Sequence, residues 1–144
     1  MKCLSRSRGL AIEILTRAQE EALQTRPAVG GFPQLAEVLH RAGVTRNVWH
    51  LPACQATYQT QHGNVVIPGT PLATGPLEIP RFDEPALIRA LRENQAGKTT
   101  FPQFLAAAWA AGVVSYEVDF GSRRVTYLGF TGEAYVEKYP AVDL

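Results

Sequence analysis

TFPQFLAAAWAAGVVSYEVDFGSRRVTYL, residues 100–128, decides how this chain is read. Thr100-Phe101-Pro102-Gln103 has the pattern of a capping box. A Thr at the N-cap and a Gln three residues on can satisfy two orphan amides of a helix start. Pro102 sits in the first turn, where its missing N–H costs nothing. Phe104, Leu105, Ala108 and Ala111 then form one apolar stripe, and Gly112 stops the helix with the backbone freedom a C′ position needs. After it, Val114, Tyr116, Val118 and Phe120 alternate with Ser115, Glu117 and Asp119, the pattern of a half-buried strand. Gly121-Ser122 is read as the turn, with Arg124–Phe130 returning as the second strand of a hairpin.

The same text occurs once more, 69 residues earlier. Phe32-Pro33-Gln34 matches Phe101-Pro102-Gln103, and Ala42-Gly43-Val44 matches Ala111-Gly112-Val113. Thr57-Tyr58 matches Thr126-Tyr127, and Gly63 matches Gly132. Residues 32–66 and 101–135 share 9 identities in 35 gapless pairs, where composition alone gives roughly two. Two copies are too few for a solenoid, so the repeat reads as a duplicated half-domain. In the first copy Gly31 takes the cap position, Leu35, Val38, Leu39 and Ala42 form the stripe, and Gly43 stops the helix. Thr45, Asn47, Trp49 and Leu51 are expected on the inner face of a strand, with a turn at Pro52-Ala53 and a return over Gln55–Gln61.

A further helix is expected before each unit. Residues 10–25 carry Leu10, Ile14, Leu15, Ala18 and Ala22 and end ahead of Pro27. Residues 84–95 carry Leu87, Ile88 and Leu91 behind Asp83, a good N-cap, and Gly97 ends them. Residues 67–82 hold four prolines and two glycines and read as a crossover. The expected fold is therefore α+β: a duplicated α-α-β-β unit, with an antiparallel sheet of at least four strands and helices on its apolar face. The chain is expected to be a single domain, 1–144, with half-repeats at about 10–66 and 83–136.

Composition bounds the partners. The chain has 144 residues and a formal net charge of +1. That charge argues against nucleic acid or an anionic membrane as the partner. Eleven of its 14 basic residues are arginine, but they are scattered. Cys3 and Cys54 make no disulfide framework or CxxC pair. Met1–Arg8 has the Arg and Ser of an organelle presequence, but Glu13 cuts short any apolar signal region. A cytoplasmic protein is the expectation, and no membrane span is read.

Several residues of the second copy, with their spacing, resemble the YbcV-like family. They are Phe101-Pro102-Gln103-Phe104, Ala111 to Asp119, Thr126-Tyr127 and Gly132-Glu133. That bacterial and phage family has no known function and often carries the label "phage envelope protein". The resemblance covers about residues 83–136 and implies no catalytic or cofactor residues.

GxSxG, Walker-type GxxxxGK[ST] and GxGxxG signatures are all missing from the chain. The candidates left are constellations. Glu117 and Asp119 point to one side of their strand, and the repeat aligns them with Val48 and His50. If the hairpins lie side by side, His50 and Asp119 are expected to approach, forming a His–carboxylate pair capable of general base work. Tyr58 and Tyr127, also mates, are candidates for the same region. Against this stands the ordinary reading of charged residues on the wet face of an open sheet. If His50 and Asp119 lie far apart or on open surface, the enzyme idea falls. His50, Cys54 and His62 match no standard zinc spacing, so no metal or cofactor is expected. Arg46, Arg123 and Arg124 are an anion site or a solvated hairpin end. Trp49 and Trp109 are core or interface anchors. The functional expectation is a protein-interaction or binding module, with self-association possible. The alternative is a small enzyme or ligand-binding protein with its site between the half-repeats.

Overall fold

A computed structural model describes residues 9–27 and 30–144. The readings made on Met1–Arg8 and Cys3 lie outside them. Helices α1 (Leu10–Gln24) and α2 (Phe32–Arg41) precede strands β1 (Val44–His50), β2 (Gln55–Thr60) and β3 (Val65–Ile67). After the crossover, α3 (Glu84–Gln95) and α4 (Phe101–Ala110) precede β4 (Val113–Asp119), β5 (Arg124–Gly129) and β6 (Ala134–Lys138). The fold is α+β, with the duplicated helix and strand order in both halves.

The helix starts follow the chemistry of their caps. Thr100 accepts from the Gln103 amide at 3.3 Å while the Gln103 side chain accepts from the Thr100 amide at 2.8 Å, closing the capping box. Asp83 caps α3 through the Ala86 amide at 3.1 Å. Gly31 has no side chain to offer, and its helix starts without a side-chain cap. Gln34, the mate of Gln103, turns instead to the Thr25 hydroxyl.

The sheet has six antiparallel strands in the order β3-β2-β1-β4-β5-β6, so β1 and β4 join the two halves at its centre. The duplication extends to the backbone. Register shifts fall between Val44 and Arg46 and again between Val113 and Ser115, 69 residues on. The fourth residue of each hairpin loop, Cys54 and Arg123, takes positive φ, at 58° and 54°. The Leu51 amide bonds the Val114 carbonyl at 2.9 Å, and the Phe120 amide bonds the Thr45 carbonyl at 3.2 Å. These two bonds exchange under the 69-residue offset. They make the halves partners across a pseudo-two-fold axis.

The bulges correct two details of the expected strands. An extra residue in a strand shifts its side-chain alternation. Val44 and Val113 therefore take the buried places, while Thr45 is exposed and Val114 only half-buried. The core lies between the helices and one face of the sheet. Leu15, Ala18 and Ala22 meet it from α1, Leu87 and Leu91 from α3, and Phe104, Leu105 and Ala108 from α4. Leu10, expected in the stripe, is exposed at the start of its helix. Strands β3 and β6 add an outer strand on each side beyond the expected hairpins.

Candidate functional site

Strand alternation sorts the sheet into a helix-covered face and an outer face. The register β1 to β4 sets Val48 opposite Glu117, Arg46 opposite Asp119 and His50 opposite Ser115. Val48 and Glu117 are repeat mates, so the pseudo-two-fold axis passes between them. A two-fold brings only the residues on its axis to their own mates. Mates displaced from it move apart in opposite directions, and His50 and Asp119 are such a pair. Four residues of strand separate their levels, about 13 Å at ~3.3 Å per residue. Both are exposed. The expected His50–Asp119 pair does not form, which removes the geometry on which the enzyme alternative rested.

Tyr127 is also displaced from the expected region. It is paired with Tyr116 and Tyr135 in the ladders and buried on the helix-covered face. Its ring lies 5.3 Å from Tyr116 and 6.4 Å from Phe104, centroid to centroid. Burial, first, and the Glu137 charge, second, push its hydroxyl above the ordinary tyrosine range. Tyr58 is buried on that face as well. Neither reaches Glu117 or Asp119, which face the other way.

The outer face carries a continuous row across all six strands. It runs Val66, Thr57, Val48, Glu117, Thr126, Val136, each residue the register partner of the next. To one side lies a charged row, Gln59, Arg46, Asp119, Arg124, Lys138. To the other lie Gln55, His50, Ser115, Leu128 and Ala134. Arg46 Nε donates to Glu117 Oε1 at 2.6 Å, tying the charged row to the axis. That bond, first, holds the Arg46 guanidinium above its usual range. A shallow groove of about 410 Å³ over β1, β2 and β3 is lined by Arg46, Val48, Thr57, Gln59 and Val66. The helices lie on the opposite side of the sheet, so among the described residues no helix lies over this face.

Sequence reasoning missed a second cluster. Arg92 on α3 donates to both carboxylate oxygens of Glu137 on β6, at 3.0 and 2.7 Å. Gln95 and the Tyr135 hydroxyl donate to the same carboxylate at 3.2 and 2.7 Å. Arg92, before the other donors, holds the Glu137 carboxyl below its ordinary range. The fork clamps β6 onto the helix layer and satisfies every acceptor it engages. The signal available was only the alternation Tyr135-Val136-Glu137-Lys138, which marks a strand but names no partner.

Trp49 packs edge-on to Phe101 at 5.0 Å and stacks near Tyr116. It anchors α4 to the sheet. Trp109 is half-buried against the core. Cys54 is buried, while His50 and His62 are exposed. Among the described residues no group of three or more His, Cys, Asp or Glu could hold a metal. Nor is any helix there long and apolar enough to cross a membrane.

A family model described as "Protein of unknown function (DUF1398)" matches residues 20–138. The chain belongs to this family. The DUF1398 match takes in both halves and the β1–β4 junction, well beyond the 83–136 stretch that carried the resemblance read from the sequence. Uncharacterised proteins of Mycobacterium tuberculosis and Mycobacterium bovis are 52% identical to this DUF1398 chain over 129 residues. The matched region is 90% of this chain and 79% of each relative.

Proposed function

We propose that this protein is a protein-interaction module that receives its partner on the outer face of the sheet. In this reading it is one domain, 1–144, of two half-repeats, about 10–66 and 83–136, joined by the crossover 67–82. The YbcV-like resemblance of the second half belongs to the same reading, and so does a cytoplasmic location, which suits a chain of near-neutral charge without a disulfide framework.

The observation that carries the proposal is the row Val66–Thr57–Val48–Glu117–Thr126–Val136. Five of its six side chains are short and β-branched, so they lose little rotamer freedom when covered. They present short side chains against which another protein can pack without large rearrangement. Val66 and Val136, at the two ends, are 55% and 50% exposed, so apolar area remains to be buried at both. A charged row along one side supplies orientation.

Site-specific photo-crosslinking tests it. A photoreactive side chain at Thr57 or Thr126 should yield a defined cross-linked species in cells producing the full chain. The same probe at Glu20, exposed on α1, should not. Equal yields from the three positions, or none from Thr57 and Thr126, overturn the reading.

A further inference from the structure

We infer that the partner on the outer face is a second copy of this chain, packed face to face about a two-fold axis parallel to the strands. The inference rests on the interaction reading above. It follows from the internal pseudo-symmetry. An axis parallel to the strands, between β1 and β4, lays each cross-strand row over its own reverse. In the charged row, Arg46 of each copy then opposes Asp119 of the other. Arg124 opposes Gln59. Along the middle row Val66 opposes Val136, Thr57 opposes Thr126, and Val48 opposes Glu117, whose carboxylate is already held by Arg46. On the third row His50 opposes Ser115. No like charges meet.

The other two-fold available to stacked sheets lies across the strands. It sets Glu117 over Glu117, Arg46 over His50 and Arg124 over Leu128. That arrangement opposes like charges on the axis and covers a guanidinium with a leucine, both of which cost stability. Charge therefore selects one packing from the pair, to within the ~30° rotation that twisted sheets impose.

The area is sufficient. Five strands carry three outward positions each and β3 adds Val66, which at ~4.8 Å between strands and ~6.8 Å between rows gives roughly 520 Å² of plane per copy. The pair then buries about 1,050 Å², just above the ~1,000 Å² a specific interface needs.

The test uses full-length chains and sedimentation velocity, with circular dichroism to confirm folding. The wild type is expected to dimerise in the micromolar range. R46D makes this pair of positions doubly acidic, and D119R makes it doubly basic. Each variant alone should dimerise roughly a hundredfold more weakly, because like charges meet twice. Their equimolar mixture should recover a 1:1 dimer, since both Asp–Arg contacts are restored between chains. Val48→Glu, which leaves both of these charges in place and sets a carboxylate over Glu117 of the other copy, should also give a monomer. A wild type that stays monomeric at about 100 µM, where most specific homodimers would form, overturns the inference. So does a mixture no more associated than its components. If the wild type is monomeric yet Thr57 and Thr126 still cross-link to a different protein, self-association is wrong and the interaction reading survives. If those positions cross-link nothing, both are wrong.

Discussion

Arg92 grips Glu137 with two parallel hydrogen bonds across 45 residues of chain, joining α3 to the outermost strand β6. The carboxylate side is largely covered and the guanidinium side is half open to water, at 14% and 53% exposure. Screening on the open side keeps the contribution of the pair modest.

Glu137→Gln should therefore destabilise the protein by about 1 kcal/mol at neutral pH. Because Glu137 binds a proton less readily in the folded chain than in the unfolded one, its contribution has a definite pH range. It is present above the unfolded value of about 4.3 and disappears as pH falls through the lower folded value. Urea midpoints at pH 7 and between pH 3 and 4 check this. The gap between wild type and variant should narrow toward the acidic end.

Two glycines with similar φ separate close packing from backbone strain. Gly112 has φ of +89° and Gly132 has φ of +95°. A Cβ on Gly112 would lie 2.5 Å from the Phe82 Cα, whereas one on Gly132 would meet nothing within 4 Å. Gly132→Ala should cost about 1 kcal/mol from strain alone. Gly112→Ala should cost roughly 3 kcal/mol or more, because the end of the crossover must move. Thermal unfolding of both variants measures the difference. Equal losses would show that Phe82 yields freely.

Thr100→Ala removes an acceptor and opens the capping box. The expected loss is about 1 kcal/mol, read from the denaturation midpoint. Gly31→Ala in the first copy removes no cap bond and should change the midpoint by less, although its new Cβ must displace the flexible Arg26 side chain, now 2.9 Å away.

Burial raises the Cys54 thiol above its usual range, and only 7% of the residue is exposed. In a Cys3→Ser background, Cys54 should therefore react with a disulfide reagent only as the β1–β2 loop opens. The rate should rise steeply with denaturant. Labelling as fast as a free thiol would contradict the packed loop, in which the Cys54 carbonyl leaves no room for a side chain at Gly69.

The elements with strong local chemistry were legible from the residues. Thr100 with Gln103, Asp83, and the glycines at 43 and 112 each announce a helix end, and the 69-residue repeat announces the two halves. The bulges at Thr45 and Val114 were not legible, because nothing at those positions departs from good strand composition. Strand β3 is three residues long and borders the proline-rich crossover, too short for a period to show. The outer face was read correctly as holding Glu117 and Asp119. The expected meeting of His50 with Asp119 failed because sequence symmetry names mates without locating the axis. That location depends on register, and register depends on how the two central strands slide against each other.

The junction of β1 with β4 has one more consequence. Each half ends its own hairpin system on a strand edge that fits the matching edge of the other half, and the crossover 67–82 is what makes the two belong to one chain. Any second molecule offers the same edge. Under conditions that loosen the centre of the sheet, halves can trade places between molecules, giving interlocked dimers whose internal contacts are all native. Two separately produced fragments, divided near Gly75, would find each other by the same fit.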